Sequence, residues 1–345
     1  MFTAPCSRLP LITLGVALIT AGCGGAPATI KGVTASDAPV QWTTTVYADH
    51  PLVGQIWSTT QTRFVTADEL SAAVSKASPL LIGERHDHPD HHQIQARIIS
   101  QLKSGAIVGF EMLDEDDVKV LKDAVDAPSL RKLTAWDKSG WPDFDLYAPV
   151  VEAVYTQGHT PRAVHPARRR LRALMMGPSS QKSAPTSQAS ALSVKGLATL
   201  KADIDRSHCG YASPAVVDAM VKAQEFKDRW MSEKLSAGEP DAQRVVIAGN
   251  GHVRKDYGLP NHLPKTTVSV GILEVKETIT TPAGYHPDRY DYIWFTPRLD
   301  TLNPCDKYRK ALEAMKKAHE TRSQRKAHER RGQKKGPEKR GQTPD

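Results

Sequence analysis

The stretch LLIGERH at residues 80–86 is an apolar run that stops at a glycine and then presents a carboxylate, Glu84, and an imidazole, His86. A short apolar run of this kind, followed by a helical pattern over 89–102, predicts a buried strand that ends in a turn. In open α/β sheets, ligands bind beyond the carboxyl ends of the strands. We therefore expect Glu84 and His86 to lie in a functional site.

Three later segments repeat this arrangement of a buried strand that ends in polar residues, and they are predicted at 106–112, 160–164 and 244–248. When helices connect parallel strands, the carboxyl ends of those strands share one edge of the sheet. Carboxylates and imidazoles at such an edge suit metal ligation or general acid-base catalysis. The residues that we expect to gather there are Glu84, His86, Glu111, His165, Asn250 and His252.

The alternation of strands and helices predicts an α/β fold, with a parallel-type sheet flanked by helices and a smaller helical subdomain. The domain is predicted at 46–305, with the helical subdomain at about 113–158 and 168–236. Residues 306–345 carry 14 Lys and Arg against 6 Asp and Glu, a net charge of +8 that equals the charge of the whole chain. The basic character therefore belongs to a solvated, disordered tail, and it does not indicate specific nucleic-acid binding by the fold.

The first 22 residues carry one basic residue, Arg8, and then an apolar run and small residues that end at Cys23. This pattern is typical of a secretory signal. The small residues before the cysteine resemble the lipobox of bacterial lipoproteins, which implies cleavage before Cys23 and its acylation, with palmitate among the chains; a plain signal peptide is the alternative. Residues 23–45 would form a tether. Gly24, where an aspartate would favour the inner membrane, predicts an outer membrane lipoprotein that faces the periplasm or the cell surface.

The cysteines that would remain in the mature protein are Cys209 and Cys305, because Cys6 leaves with the signal and Cys23 carries lipid. Two cysteines in an oxidising exported compartment are expected to pair. The alternative is a metal site made by these two isolated thiols.

A helix predicted from Ser213 to about Leu235 has an apolar stripe that is interrupted by Gln224 and Asp228. Buried polar groups need partners, so this face either lines a polar pocket or turns toward solvent. The two interpretations remain open at this stage.

Histidines are dense around the start of the helix at 89–102, and they suggest a metal-binding tract. His92 lies closest to the apolar face of this helix. For His88 and His91 we predict solvated positions in the first turn.

Seven segments of the chain, LLIGERHD, GFEML, WPDFDLYAP, AM-x-x-AQ, AGNGHVRKDYGLP, SVG and YDYIWFTP, together resemble the ChaN-type haem-binding lipoproteins of iron uptake. The resemblance spans about 80–305. This family is similar to a wider Tiki and erythromycin esterase-like group that includes secreted metal-dependent hydrolases. The resemblance implies haem held by an axial tyrosinate, with two haems stacked across a homodimer. A tyrosinate is a hard anionic oxygen donor, which suits ferric iron.

Within the resemblance, Tyr147 is the first candidate for the axial ligand, because Trp141 and Phe144 would cover a porphyrin face. Tyr257 is the second candidate, and a plain core aromatic is the alternative for Tyr147. The family more usually has an asparagine where this chain has His165, so His165 is also a candidate iron ligand. The predicted cofactor-binding residues are Tyr147, Tyr257, His165, Gln224, Asp228 and Asn250.

These patterns predict a membrane-anchored haem-binding lipoprotein that stores or relays haem in iron uptake, without catalytic turnover. The alternative is a secreted hydrolase in which a divalent metal activates water. Its metal or catalytic residues would be Glu84, His86, Glu111 and His252. A third interpretation is an inert scaffold whose basic tail binds polyanions.

Overall fold

The computed structural model describes residues 41–176, 190–238 and 241–334. The predicted signal peptide, Cys23, most of the tether and the last eleven residues lie outside these ranges. In the described ranges, no helix has both the length and the apolar character needed to cross a membrane.

The described chain forms one eight-stranded sheet in the order β2-β1-β8-β7-β3-β6-β4-β5. The six strands from β8 to β5 are parallel, whereas β1 pairs antiparallel with β8 and β2. The predicted α/β fold with a parallel-type sheet is confirmed, with an antiparallel edge that makes the sheet mixed. The strands are β1 Ile56–Ser58, β2 Arg63–Val65, β3 Leu80–Glu84, β4 Ile107–Asp114, β5 Thr160–His165, β6 Arg244–Gly249, β7 Val268–Glu274 and β8 Tyr292–Thr296.

Helices cover both faces of the sheet. Helices α2 and α5 pack against each other on one face, and α8 packs against β5 and β6 on the other. The α-helices of the described chain are α1 Ala67–Val74, α2 Pro89–Ser100, α3 Val118–Leu121, α4 Ala127–Leu133, α5 Phe144–Thr156, α6 Arg168–Met176, α7 Val194–Ser207, α8 Pro214–Ser236, α9 Pro304–Lys307 and α10 Arg309–Lys334.

Strand β3 lies near the middle of the sheet, between β7 and β6, and all five of its residues are buried. Leu80 and Ile82 belong to the core beneath α2 and α5, while Leu81 belongs to the core beneath α8. A strand that is covered on both faces needs a continuous apolar run rather than an alternating one. This burial explains why the run is unbroken until Glu84, where the strand reaches the carboxyl edge of the sheet.

A disulfide joins Cys209, after α7, to Cys305 in α9, as predicted. This pairing excludes the alternative, in which the two thiols would form a metal site. Beyond the disulfide, α10 is helical over Arg309–Lys334, so the prediction of a disordered tail is wrong for this part. Leu312 is buried while most neighbouring residues of α10 are exposed, which shows that the helix packs through a narrow contact.

Replacing both cysteines, as Cys209→Ser with Cys305→Ser, is expected to lower the free energy of unfolding. The disulfide spans 96 residues, for which loop closure predicts at most about 4 to 5 kcal/mol. Urea unfolding of the protein from Gly24 onward measures this loss. Thiol titration under non-reducing conditions provides the check on the wild type, and free thiol at either position would contradict the pairing.

Candidate functional site

Glu84, the last residue of β3, is the centre of a buried hydrogen-bond cluster at the carboxyl edge of the sheet. Its Oε1 accepts a hydrogen bond from the Tyr147 hydroxyl at 2.6 Å and lies 2.7 Å from Nδ1 of His86. Its Oε2 accepts a hydrogen bond from Gln95 at 2.7 Å. Burial raises the pKa of Glu84, but the charge of His92 and the hydrogen bond from His86 lower it by more, so the carboxylate is ionised.

A second cluster lies across the same edge, around Glu111 of β4. Its Oε2 accepts a hydrogen bond from the Gly249 amide at 2.9 Å, and its Oε1 lies 3.0 Å from Nε2 of His252. On the other side of the His252 ring, Nδ1 lies 2.5 Å from the buried carboxylate of Asp228. His252 is therefore held between two carboxylates, an arrangement that favours the imidazolium.

The charge on His252 results from competing effects. Burial and the Lys227 ammonium, at 3.1 Å from Nε2, oppose protonation, but the carboxylates of Glu111 and Asp228 raise the pKa of His252 to about 9. Gln224 also contacts the ring, at 2.9 Å from Nδ1. Gln224 and Asp228 thus face a polar site rather than solvent, which resolves the question left open by the sequence.

Stability is expected to fall as pH rises from about 6.5 to 9. The folded pKa of His252 lies above its unfolded value, so the stabilisation is fully present below pH 6.5 and is lost through pH 9. This pKa shift corresponds to a contribution on the order of 3 kcal/mol to the free energy of unfolding. The pKa values of His86 and His92 are also raised, because Glu84 outweighs the effect of their burial. Deprotonation of these two rings therefore also lowers stability as pH rises. Thermal melts from pH 6 to 10 test this, and a melting temperature that is constant or rises would contradict it.

The two clusters meet at His86, whose Nε2 lies 3.8 Å from Oε2 of Glu111. A Cβ atom at Gly249 would stand 2.9 Å from this same nitrogen, so only glycine lets β6 approach the ring so closely. The structure therefore brings Glu84, His86, Glu111 and His252 to one place. We call these four residues and the side chains that contact them the rim.

The outer part of the rim carries an imidazole and an indole. His165, at the end of β5, is almost buried, and this burial lowers its pKa to about 4, so the ring is neutral at pH 7. The ring of Trp141 lies 6.3 Å from that of His165 and 5.0 Å from that of His86. Trp141 is half-buried and the His86 side chain is 33% exposed, so solvent reaches this side of the rim.

Tyr147 lies in the inner part of the rim, and its surroundings do not favour a tyrosinate. The side chain is fully buried, and burial together with the Glu84 carboxylate raises its pKa well above the ordinary value. Its ring packs against His92 and Trp136. The role of Tyr147 as an iron ligand stays a prediction. The idea that Phe144 covers a porphyrin is wrong, because Phe144 is buried against Trp136 in the core.

Two other predicted cofactor residues have contacts outside the rim. Tyr257 is buried in a small helical cluster, where Arg254 lies 4.0 Å above its ring and its hydroxyl donates to Asp203 at 3.2 Å. The Asn250 side chain makes both of its hydrogen bonds with the backbone of Ile272, so it fastens the turn after β6 to β7. These contacts give both residues structural roles.

The prediction that His88 and His91 are solvated is wrong. Both side chains are fully buried, and their rings stack at 4.0 Å. Nε2 of His88 lies 3.1 Å from the Pro297 carbonyl, and Nδ1 of His91 accepts a hydrogen bond from the Arg85 amide at 2.8 Å. The first turn of α2 packs against the end of β8, a contact that local periodicity does not reveal.

Sequence reasoning missed two members of the site, Gln95 and Lys227. Gln95 is a fully buried amide on the apolar face of α2, and Lys227 precedes Asp228 on α8. A polar residue within the Ile94 and Ile98 stripe was the available signal for Gln95. The sequence pattern did not single out Lys227, apart from its position next to Asp228.

The four central side chains of the rim are bound to one another or to neighbouring groups, although Oδ2 of Asp228, beside His252, is buried without a hydrogen-bond partner among the described residues. Within the described ranges, no three His, Cys, Asp or Glu side chains are grouped as a metal ion would require. The proposed metal ligands Glu84, His86, Glu111 and His252 are instead joined by hydrogen bonds and ion pairs.

Residues 70–263, more than half of the chain, match the sequence profile of a family described as "Haem-binding uptake, Tiki superfamily, ChaN". The chain belongs to this family. The matched range includes every rim residue from Glu84 to His252, and the ChaN resemblance of the sequence is confirmed.

Two solved structures are similar to this member of the ChaN family. The first, titled "Cofacial heme binding to ChaN of Campylobacter jejuni", has 22% identity and a TM-score of 0.58, with 69% of this chain and 95% of that chain covered. It shows that the fold is shared. The second is the type III effector HopBA1, with 13% identity, a TM-score of 0.38 and coverage of 67% and 92%. No curated protein matches the chain.

Proposed function

We propose that the protein binds haem at the outer side of the rim and stores or relays it during iron uptake. The observation that carries this proposal is the family match over 70–263, which contains both clusters of the rim. The rim is also partly exposed at His86 and Trp141, so a ligand can contact it from solvent.

The side chains of the outer rim suit a haem. Haem supplies an iron that takes up an axial ligand from the protein, and histidine and tyrosine are both used for this. His165 offers a neutral imidazole at pH 7, because burial keeps its pKa at about 4. Trp141 lies beside it and presents an aromatic surface to a porphyrin. We therefore favour His165 as the axial ligand.

Tyr147 is the competing ligand, and it must lose its phenol proton to bind ferric iron. The acceptor would be Oε1 of Glu84, which already receives the hydrogen bond at 2.6 Å. Burial and the negative charge of Glu84 both oppose the formation of a tyrosinate next to it. This cost is the reason for ranking His165 first.

The anchoring and assembly of the protein are further parts of the proposal. The lipobox-like residues before Cys23 support an acylated outer membrane lipoprotein that contacts the lipid membrane. The similar Campylobacter jejuni ChaN structure, described as binding haem cofacially, is the basis for proposing a homodimer in which two haems face each other.

A metal-dependent hydrolase is the second candidate function. The carboxylate–imidazole pairs Glu84–His86 and Glu111–His252 support it, since such pairs perform acid-base chemistry. In that case a divalent metal would activate water.

The haem and metal content of the purified protein distinguishes between the two functions. The protein is produced in cells supplied with haem and is dialysed, and then haem and divalent metals are measured on the same sample. We expect haem near stoichiometric amounts, with zinc and manganese only in traces. Stoichiometric zinc or manganese without haem would overturn the proposal in favour of the hydrolase.

A further inference from the structure

A pocket lies next to β7, at the same edge of the sheet as the rim. Its volume is about 260 Å³. Pockets for drug-sized ligands begin at roughly 300 Å³, so this pocket suits a small ligand or one arm of a larger ligand. The polar and charged residues that line it include Arg85, Asn250, Glu274, Lys276, His286 and Arg289.

The carboxylate in the lining of this pocket is already engaged in hydrogen bonds. Glu274 is the carboxylate among these residues, and it accepts two hydrogen bonds from Arg85, at 2.8 and 2.9 Å. It also accepts one from the Leu299 amide at 2.7 Å. Arg85 is also shared with Asp87, at 2.8 Å, and Asp300, at 3.3 Å. The described hydrogen bonds of Glu274 therefore go to Arg85 and Leu299, and none goes to Lys276 or Arg289.

Lys276 is a cation of the pocket that has no carboxylate partner among the described residues. Its Nζ lies 3.4 Å from the Gly284 carbonyl and 5.0 Å from the centre of the Tyr285 ring. Desolvation by burial, together with the charge of Arg289, lowers the pKa of Lys276. An anion in the pocket would relieve this repulsion.

Arg289 is the second cation that lacks full compensation. Its Nε lies 3.6 Å from a carboxylate oxygen of Asp256, beyond hydrogen-bond distance. That carboxylate already accepts two hydrogen bonds from Arg254, at 2.9 and 2.5 Å. Arg254 also donates to Asp203, at 2.7 Å. Among the described residues, the ion pair with Asp256 involves only Nε of Arg289, so its two terminal nitrogens keep donors for another oxyanion.

We propose that this pocket, the Lys276–Arg289 pocket, binds an oxyanion, that is, a phosphate or carboxylate group. Lys276 has no carboxylate partner among the described residues, and Arg289 has only the long ion pair with Asp256. Two such cations in a small concavity attract an oxyanion, and a guanidinium donates to it in a paired geometry. The oxyanion is either a free small anion or a carboxylate arm of the haem at the neighbouring rim. The second source rests on the proposed function.

Inorganic phosphate tests the pocket without haem. The protein from Gly24 onward and its Lys276→Gln and Arg289→Gln variants are titrated calorimetrically at constant ionic strength. The control is Lys103→Gln, an exposed lysine at the opposite edge of the sheet. We expect each pocket variant to bind phosphate at least tenfold more weakly than wild type, while the control is unchanged. Melting curves without phosphate verify that all variants fold.

A second titration compares haemin with its dimethyl ester, which lacks the carboxylates. One outcome is that phosphate does not bind, while the pocket variants bind haemin more weakly than wild type and bind the ester equally well. In that case the haem carboxylate is the ligand and the proposal stands. No phosphate binding, together with equal haemin affinity in all variants, would overturn it. If the protein binds no haemin, the proposed function fails, and the phosphate titration alone decides on the pocket.

Discussion

His165→Ala is expected to weaken haemin binding by at least about 10- to 100-fold, the loss typical when even an outer partner of a metal ligand is removed. His165 is the neutral imidazole of the rim, with a pKa of about 4, and it lies beside the half-buried Trp141. The Soret band of the variant is also expected to shift, because the axial ligand changes. Absorbance titration at pH 7 measures both effects.

Tyr147→Phe is the matched comparison for this experiment. It removes the hydroxyl that donates to Glu84 but keeps the buried ring. We expect haemin affinity within a few-fold of wild type and an unchanged Soret position. The reverse pattern, in which Tyr147→Phe abolishes the band and His165→Ala leaves it intact, would assign the iron to a tyrosinate.

Glu84→Ala is expected to lower the free energy of unfolding by about 3 to 5 kcal/mol, the range observed when one partner of a buried ion pair is removed. The carboxylate is 2% exposed and accepts hydrogen bonds from Tyr147 and Gln95, and it balances the charge of the neighbouring histidines. Its removal leaves these donors buried without an acceptor. Urea denaturation followed by circular dichroism gives the value.

Two variants serve as controls for Glu84→Ala. Glu84→Gln keeps the size and one acceptor oxygen, so an intermediate loss is expected. Glu152→Ala removes an exposed glutamate of α5, and it should stay within about 0.5 kcal/mol of wild type. A loss at Glu84→Ala no larger than at Glu152→Ala would show that the buried cluster does not contribute to stability.

The positions of the sheet and of the rim followed from the sequence, because they depend on local patterns. A strand covered on both faces needs the unbroken run at residues 80–84, and the parallel connections then place Glu84, Glu111 and His252 at one edge. The disulfide followed from the cysteine count and from the expectation of an oxidising compartment.

The remaining features depend on contacts between residues that are distant in the chain. His88 is buried because Pro297, 209 residues later, lies over the first turn of α2. Burial, together with Glu84, 63 residues earlier, raises the pKa of Tyr147, so an aromatic segment that looked suitable for an iron ligand contains a protonated phenol. Lys227 gains its role through His252, on another element. Periodicity and composition carry no information on such pairs.

The haemin titration of the wild-type protein, followed at the Soret band, tests the central claim most directly. We expect a saturable band that is displaced from that of free haemin, with an end point near one haem per chain. A spectrum that equals the sum of free haemin and protein at every ratio would contradict it, and the rim would then have to serve another ligand.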